Sequence, residues 1–224
     1  MCGRYTHLYS WAELNAALSF VVPSTPITAR YNVAPTQLAP VIRRADDGRN
    51  HVEFLKWGLI PKWAKDPKIG SSLINARAET LNSKPAFKEA YATKRCLVPI
   101  TGFYEWAHTE GKKQPYYFTA TNSQPLFLAG LWETWQNPDQ KTIENFLIIT
   151  TEANDTVRPI HDRMPVIIDT SNSEKWLDTT NTTAEINSLL RPVAANVLQD
   201  IPVDPCVNNA RHDSSDCIIR RNSL

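Results

Sequence analysis

A chain of 224 residues is long enough to bury a substantial core within one large domain, and 42% hydrophobic with 21% charged residues is the composition of an ordinary globular protein. Its 24 Lys and Arg against 23 Asp and Glu leave a formal net charge of +1, which excludes bulk electrostatics as a force for nucleic-acid binding and leaves that task to a local cluster. No apolar run approaches the roughly 18 residues of a membrane span and no basic-then-apolar export signal opens the chain. Four cysteines (Cys2, Cys96, Cys206, Cys217) are too few for a disulfide scaffold, so an intracellular chain with no membrane partner is expected, cytoplasmic or nucleoid-associated if bacterial.

Ser10-Trp11-Ala12-Glu13 has the form of a capping box and predicts a helix to about Phe20, with Trp11, Leu14, Ala17 and Leu18 on one face. Proline-punctuated loop follows through Arg30-Tyr31-Asn32-Val33-Ala34-Pro35. Strands are predicted near Ala39–Arg44 and Val52–Leu59 around the turn-forming Asp46-Asp47-Gly48. Ser83 with Pro85 just inside predicts a short helix to about Thr93. Four β-rich runs come next, Cys96–Trp106, Pro115–Thr121, Leu126–Trp135 and Asn145–Thr151, the first two joined by a hairpin at Gly111-Lys112-Lys113. Met164–Ile168 is a further strand, and short helices are predicted near Glu174–Leu177 and Ala184–Leu190. The helices do not alternate with the strands, so the class is α+β: a single domain over residues 1–224 with a mostly antiparallel sheet or open barrel and peripheral short helices.

The first residues, Met1-Cys2-Gly3-Arg4-Tyr5, carry the most distinctive chemistry. Loss of Met1 leaves Cys2 with an amine and a thiol on adjacent carbons, a pair that condenses with an aldehyde to an imine and then closes to a thiazolidine. An α-amine, with an ordinary pKa near 7.7–8.0, is far more often neutral than a lysine at about 10.4. The competing reading is a retained Met1 and an unremarkable intracellular cysteine, since a lone cysteine is a nucleophile candidate only with partners elsewhere.

Four further stretches supply candidate partners. If Ile74–Thr80 is extended, Asn75, Arg77 and Glu79 share a face, offering an amide and a phosphate-matching guanidinium, or else a solvated edge with an ion pair. In Gly102-Phe103-Tyr104-Glu105-Trp106 a carboxyl among three aromatics should be pushed toward neutrality, as a general acid/base requires, unless it reaches water at a strand end. His161, between Pro159 and Pro165 and beside Asp162 and Arg163, suits proton transfer, although a lone histidine is more often structural. In Trp57–Trp63, Lys62 and Trp63 combine a charge with a face for stacking single-stranded bases, against the commoner use of tryptophan as core. Cys206, His212 and Cys217 fit no standard zinc spacing and lack a fourth ligand, so neither metal nor cofactor is expected. Asn154 and Asn181 head Asn-x-Thr triplets that carry no meaning without secretion.

Taken in order, Met-Cys-Gly-Arg at the start, Arg-Tyr-Asn-Val-Ala-Pro at 30–35, Trp-Gly-Leu-Ile-Pro at 57–61, Ile-Asn-Ala-Arg-Ala-Glu-Thr at 74–80, Arg-Cys-Leu-Val-Pro at 95–99, Gly-Phe-Tyr-Glu-Trp at 102–106 and Ile-His-Asp-Arg-Met-Pro at 160–165 resemble the SOS response-associated peptidase (SRAP) family, the abasic-site processing proteins. The likeness spans almost the whole chain, including Val207-Asn208-Asn209. It implies capture of the ring-opened aldehyde of an abasic site in single-stranded DNA by Cys2 after Met1 removal, as a thiazolidine crosslink that shields the lesion. The resemblance assigns Cys2 as nucleophile, Glu105 as general acid/base in Met1 removal and in amine proton transfers, His161 to the proton on the sugar oxygen, and Asn75 to holding the sugar or the Cys2 amine. It assigns Arg4, Asn32, Arg77 and Arg163 to DNA contact and Trp63 to stacking at the lesion. The departure is Ser83-Lys84-Pro85-Ala86, where the family often has a further basic or polar residue. A monomer, with replication-fork proteins as candidate partners, is expected. The alternatives are an N-terminal-cysteine amidohydrolase of the class II glutamine amidotransferase kind, for which the glutamine-binding segments are absent from this sequence, and a non-covalent single-stranded-DNA binding module.

Overall fold

The computed structural model describes residues 2–109, 112–137 and 141–221. The chain runs β1 (Tyr5–His7), α1 (Trp11–Ala17), β2 (Arg30–Val33), β3 (Leu38–Arg44), β4 (Asn50–Trp57), β5 (Asn75–Arg77), α2 (Pro85–Thr93) and β6 (Arg95–Ile100). It continues through β7 (Gly102–Thr109), β8 (Lys112–Ala120), β9 (Leu126–Gln136), β10 (Thr142–Glu152), β11 (Arg163–Pro165), α3 (Ser173–Leu177), α4 (Thr183–Ile186) and β12 (Leu198–Pro202).

Five of these strands form a ring: β10 pairs β4, β4 pairs β3, β3 pairs β6, β6 pairs β9, and β9 returns to β10. The barrel core is therefore closed rather than open, which removes the exposed edges an open sheet would leave. All six residues of β6 are buried, as are long runs of β9 and β10, because alternate side chains face two different apolar clusters. Leu97, Leu131, Leu147 and Ile149 pack with Trp11, Leu14, Phe87, Tyr91 and Trp176 of the helices. Their neighbours Val98, Leu128, Phe146 and Ile148 pack with Tyr5, Phe103 and Phe118 of a second, antiparallel sheet ordered β12-β8-β7-β1-β2. At about 25 cal/mol per Å² of apolar surface removed from water, this two-faced burial is the main source of stability.

Several sequence boundaries move for physical reasons. The capping box at Ser10 is formed, but α1 stops at Ala17 because Leu18 turns extended (φ −147°) to bury its side chain. The N-cap position of helix α2 is Lys84 rather than Ser83, with no side-chain cap bond and with Pro85 in the first turn. The run Cys96–Trp106 is two strands in two sheets, broken at Thr101. At that corner a Cβ on Gly102 would lie 2.4 Å from the Phe118 carbonyl, so only glycine lets the strands meet. The loop expected at 30–35 contains β2, and the last predicted helix is one turn of α4 followed by a 3₁₀ turn. Gly48, at φ +74°, makes the β3–β4 turn as expected. The hairpin tip at residues 110–111 lies outside the described residues, although Thr109 and Lys112 beside it are paired. No described helix is long and apolar enough to cross a membrane.

Candidate active site

Beside β1, the Tyr104 N–H donates to the Arg4 carbonyl at 3.0 Å, so the start of the chain lies along β7. Alternation along β7 sends Phe103 and Glu105 to one face and Tyr104 and Trp106 to the other. Phe103 packs in the cluster that holds Cys2, whereas Tyr104 packs against Val207 and Cys217 of the C-terminal segment. Glu105 thus follows Phe103 toward Cys2, and only 2% of it is exposed. Burial, with the negative charge of Asp162 adding to it, pushes its carboxyl up to about 7. Burial, and next the charge of Glu105, holds the Cys2 thiol well above the usual thiol range.

Two more elements converge on the same place. β5 pairs β10 in parallel, from Asn75 opposite Ile148, and this aims the Asn75 amide at the chain start, where Nδ2 donates to the Cys2 carbonyl at 2.8 Å. Opposite, a turn after β10 is pinned by Asn154, whose Oδ1 accepts the Val157 N–H at 3.0 Å and whose Nδ2 donates to the Val193 carbonyl at 3.1 Å. That same role buries Asn154 and removes it as a modification site. The turn delivers His161, with Nε2 3.9 Å from Glu105 Oε2 and Nδ1 accepting the Arg163 N–H at 2.9 Å. Nε2 is the ring nitrogen that faces Glu105. Asp162 Oδ1 lies 3.0 Å from Nδ1 on the far side.

Glu105 and His161 open into a cleft of about 580 Å³, lined also by Gly3, Arg4, Pro35, Ile74, Trp106, Lys113 and Asn208. Four other surface cavities hold only about 170–270 Å³. Sequence reasoning did not assign Trp106, Lys113 and Asn208 to the site. Trp106 and Asn208 are joined by a 2.6 Å bond from the indole N–H to Asn208 Oδ1, and the signal available was that both lie within the motifs that carried the resemblance.

The structure brings together Cys2, Asn75, Glu105, His161 and Arg4, and it separates the other candidates. Asn32 is fully buried, with Nδ2 shared among the carbonyls of Val207, Asn209 and His212 and Oδ1 accepting from Arg4. It has no surface to offer DNA, and its role is to fasten the C-terminal segment. Arg163 is committed in a bidentate pair to Glu79 at 2.9 and 3.0 Å and to the Thr150 carbonyl at 2.7 Å, so it braces the site instead of presenting a free fork. Arg4 bonds Asn32 at 3.0 Å and the Val207 carbonyl at 2.8 Å while lining the cleft. The extended alternation ends at Arg77, because Ala78–Thr80 is a 3₁₀ turn, and Glu79 therefore reaches Arg163. Arg77 and Trp63 are exposed, Trp63 by 62%, outside the cleft lining.

Residues 1–210 match the SOS response associated peptidase (SRAP) family. The chain belongs to this family. It is 38% identical over 222 residues, 97% of this chain and 99% of the other, to the abasic site processing protein YoqW of Bacillus subtilis. It is 37% identical, over the full length of both, to the abasic site processing protein YoaM of the same organism. Similarity extends to the abasic site processing protein HMCES of Xenopus tropicalis at 32% identity, covering 84% of this chain and 65% of the frog protein. A crystal structure of a Bacteroides thetaiotaomicron protein superposes with a TM-score of 0.82 at 25% identity, covering 99% of this chain and all of that one. SRAP membership accounts for the order of the motifs, and the cleft is where six of them meet: the chain start, Pro35, Ile74, Glu105-Trp106, His161 and Asn208.

Proposed function

We propose that this SRAP protein processes abasic sites in DNA, and that it does so by trapping the ring-opened sugar of a single-stranded lesion as a thiazolidine on Cys2. The observation that carries the reading is the convergence of Cys2, Glu105, Asn75 and His161 beside one open cleft. While Met1 is attached, the Cys2 nitrogen is an amide. Hydrolysis of the Met1–Cys2 peptide bond creates the amine beside Gly3 and Arg4 of the cleft wall, with Glu105 as the group that activates water for that step.

Capture then proceeds in an order set by the acidities. The Cys2 thiol is protonated and buried, so the amine attacks first. It adds to the C1 aldehyde carbon, a proton moves to the oxygen, and water leaves to give the imine. A carboxyl that titrates near neutrality gives that proton and afterwards takes one from the thiol, whose sulfur bonds the imine carbon. The water leaves with the carboxyl's proton and one amine proton, so the imine nitrogen is protonated when sulfur attacks and keeps that proton in the ring, while the carboxyl is restored by the thiol proton. The balance is amine plus thiol plus aldehyde giving thiazolidine plus one water. His161, with Nε2 toward Glu105, supplies the proton that opens the sugar ring, and Asn75 fixes the main chain of Cys2 while this happens. Arg4 and Lys113 in the cleft wall and Arg77 outside it hold phosphates, which position the strand without reading its sequence. Trp63 stacks beside the gap left by the missing base.

The test is a denaturation-resistant adduct between the purified protein and a single-stranded oligonucleotide with one abasic site. Its mass should be that of protein without Met1 plus DNA minus one water, and Cys2→Ser and Cys2→Ala should abolish it. An adduct of undiminished yield from Cys2→Ala would assign the chemistry to a lysine and overturn the reading.

A further inference from the structure

Near the end of the chain the fold supplies the donor that the sequence spacing lacked. Cys206 and Cys217 sit in two separate 3₁₀ turns, Pro205–Asn208 and Ser215–Ile218. His212 lies between them, and the second turn also carries Asp216. One ligand atom from each of Cys206, His212, Asp216 and Cys217 lies within 4.8 Å of every other. His212 Nε2 is 2.8 and 2.9 Å from the two Asp216 oxygens, and Cys217 is buried while the other three are partly exposed.

We propose that these four side chains form a tetrahedral binding site for a thiophilic divalent cation of the zinc class. Bonds of about 2.3 Å to sulfur and about 2.0–2.2 Å to nitrogen and oxygen place tetrahedral ligand atoms about 3.3–3.8 Å apart, so the observed spread closes by side-chain rotation alone. Two thiols, one imidazole and one carboxylate are a donor set that zinc accepts and that magnesium and calcium, which take oxygen, do not. On binding, both thiol protons pass to solvent and two sulfur–metal bonds form. Four protein ligands leave no open position, which makes the site a clamp and not a second catalytic centre.

Its place in the fold gives the clamp a purpose. The segment it closes is already tied to the rest of the protein by Asn32, through the carbonyls of Val207, Asn209 and His212, and by Asp213, which accepts the N–H groups of Tyr31 and Asn32 and pairs with Arg30. The same segment carries Asn208 into the cleft wall and holds Arg4 through the Val207 carbonyl. A cation joining residue 206 to residue 217 fixes the geometry of that wall from behind.

Protein reduced, stripped with a chelator and titrated with Zn²⁺ should take up one equivalent per chain, and Co²⁺ in its place should give the thiolate charge-transfer band and intense visible bands of a tetrahedral sulfur site. Cys2→Ala and Cys96→Ala should retain that equivalent, and Cys206→Ser with Cys217→Ser should lose it. Because the double variant can fail to fold, His212→Gln and Asp216→Asn, which keep both thiols, serve as a second pair: each should weaken Zn²⁺ binding at least tenfold with an unchanged near-ultraviolet dichroism spectrum. Substoichiometric uptake by the native chain, an undiminished equivalent in the double variant, or a mass deficit of two hydrogens marking a Cys206–Cys217 disulfide with no uptake after reduction would each overturn the proposal.

Discussion

Replacing Glu105 by Gln isolates the cost of keeping an acid in the site. A carboxyl held at about 7 instead of the ordinary 4.5 costs about 3 kcal/mol more to ionise in the folded protein than in the unfolded chain, at about 1.4 kcal/mol for each tenfold in proton affinity. Since Glu105 is only 2% exposed, solvent does not dilute that cost. Between about pH 4.5 and pH 7 the folded state binds this proton more tightly than the unfolded one, so the Glu105 contribution to stability falls as pH rises, by at most about 1.4 kcal/mol per pH unit. It is complete below the unfolded value and gone above the folded one. Glu105→Gln cannot ionise and lacks that slope. Urea unfolding of both proteins from about pH 4 to about pH 8.5 should therefore give a difference that moves by about 3 kcal/mol in favour of the variant as pH rises. With both proteins brought to the same N-terminus, the fixed cost of burying an amide in place of a carboxyl cancels in that comparison, as do titrating groups that do not couple to Glu105. The same variant should slow adduct formation. Parallel stability curves across the range would refute the assignment of a raised carboxyl pKa, and with it the acid/base role.

Four other substitutions separate contact with DNA from support of the fold. Asn32→Ala removes buried bonds to the Val207, Asn209 and His212 carbonyls and to Arg4, although Val207 keeps Arg4 and Asn209 keeps the His212 N–H, and should cost about 1–3 kcal/mol in urea unfolding. Trp63→Ala, at an exposed position, should leave stability within about 0.5 kcal/mol while weakening single-strand binding by about 1–3 kcal/mol in fluorescence anisotropy; unchanged affinity removes the stacking role. Arg77→Ala should lower the slope of log affinity against log salt by about 0.7 with little change in stability, whereas Arg163→Ala should cost about 1–3 kcal/mol of stability through its lost bonds to Glu79 and Thr150.

What the sequence made legible was whatever is decided locally. The capping box at Ser10, the Gly48 turn and the long apolar runs of β9 and β10 depend on neighbours within a few residues, and they stand where periodicity puts them. The short strands β1, β2 and β12 have no pattern of their own. Tyr5-Thr6-His7 is buried throughout, because β2 and β7 flank it, and nothing in three residues announces two distant partners. The break at Thr101 was hidden for the same reason: both halves of Cys96–Trp106 are apolar, and only the packing says that they belong to different sheets. In the site, the aromatic neighbours of Glu105 implied the desolvation that its burial shows. Polarity alone could not tell Asn32 from a DNA ligand, since an amide that satisfies three carbonyls reads the same as one that faces a phosphate. Arg163 is the parallel case, its fork matching Glu79 as well as it would match a phosphate.

The burial of Cys2 bears on the order of events more than on the identity of the nucleophile. A thiol exposed in a reducing, electrophile-rich cell would react early and unselectively, whereas this one is enclosed and held protonated. In the proposed mechanism selectivity therefore falls to the amine, which condenses reversibly with aldehydes and commits only when sulfur closes the ring. For that closure the thiol proton must leave at the site itself, and the neighbouring carboxyl, poised near neutrality, is the group with the acidity to accept it. The proposal ties commitment to a correctly seated sugar, because an aldehyde that binds the amine without bringing the thiol to Glu105 leaves the sulfur protonated and the imine free to hydrolyse. Small aldehydes in solution should consequently form imines that exchange, while an abasic strand, anchored through its phosphates in the cleft, goes on to the thiazolidine. A simple aldehyde such as propionaldehyde that yields the ring product as fast as abasic DNA at equal concentration would show that the enclosure confers no such gate.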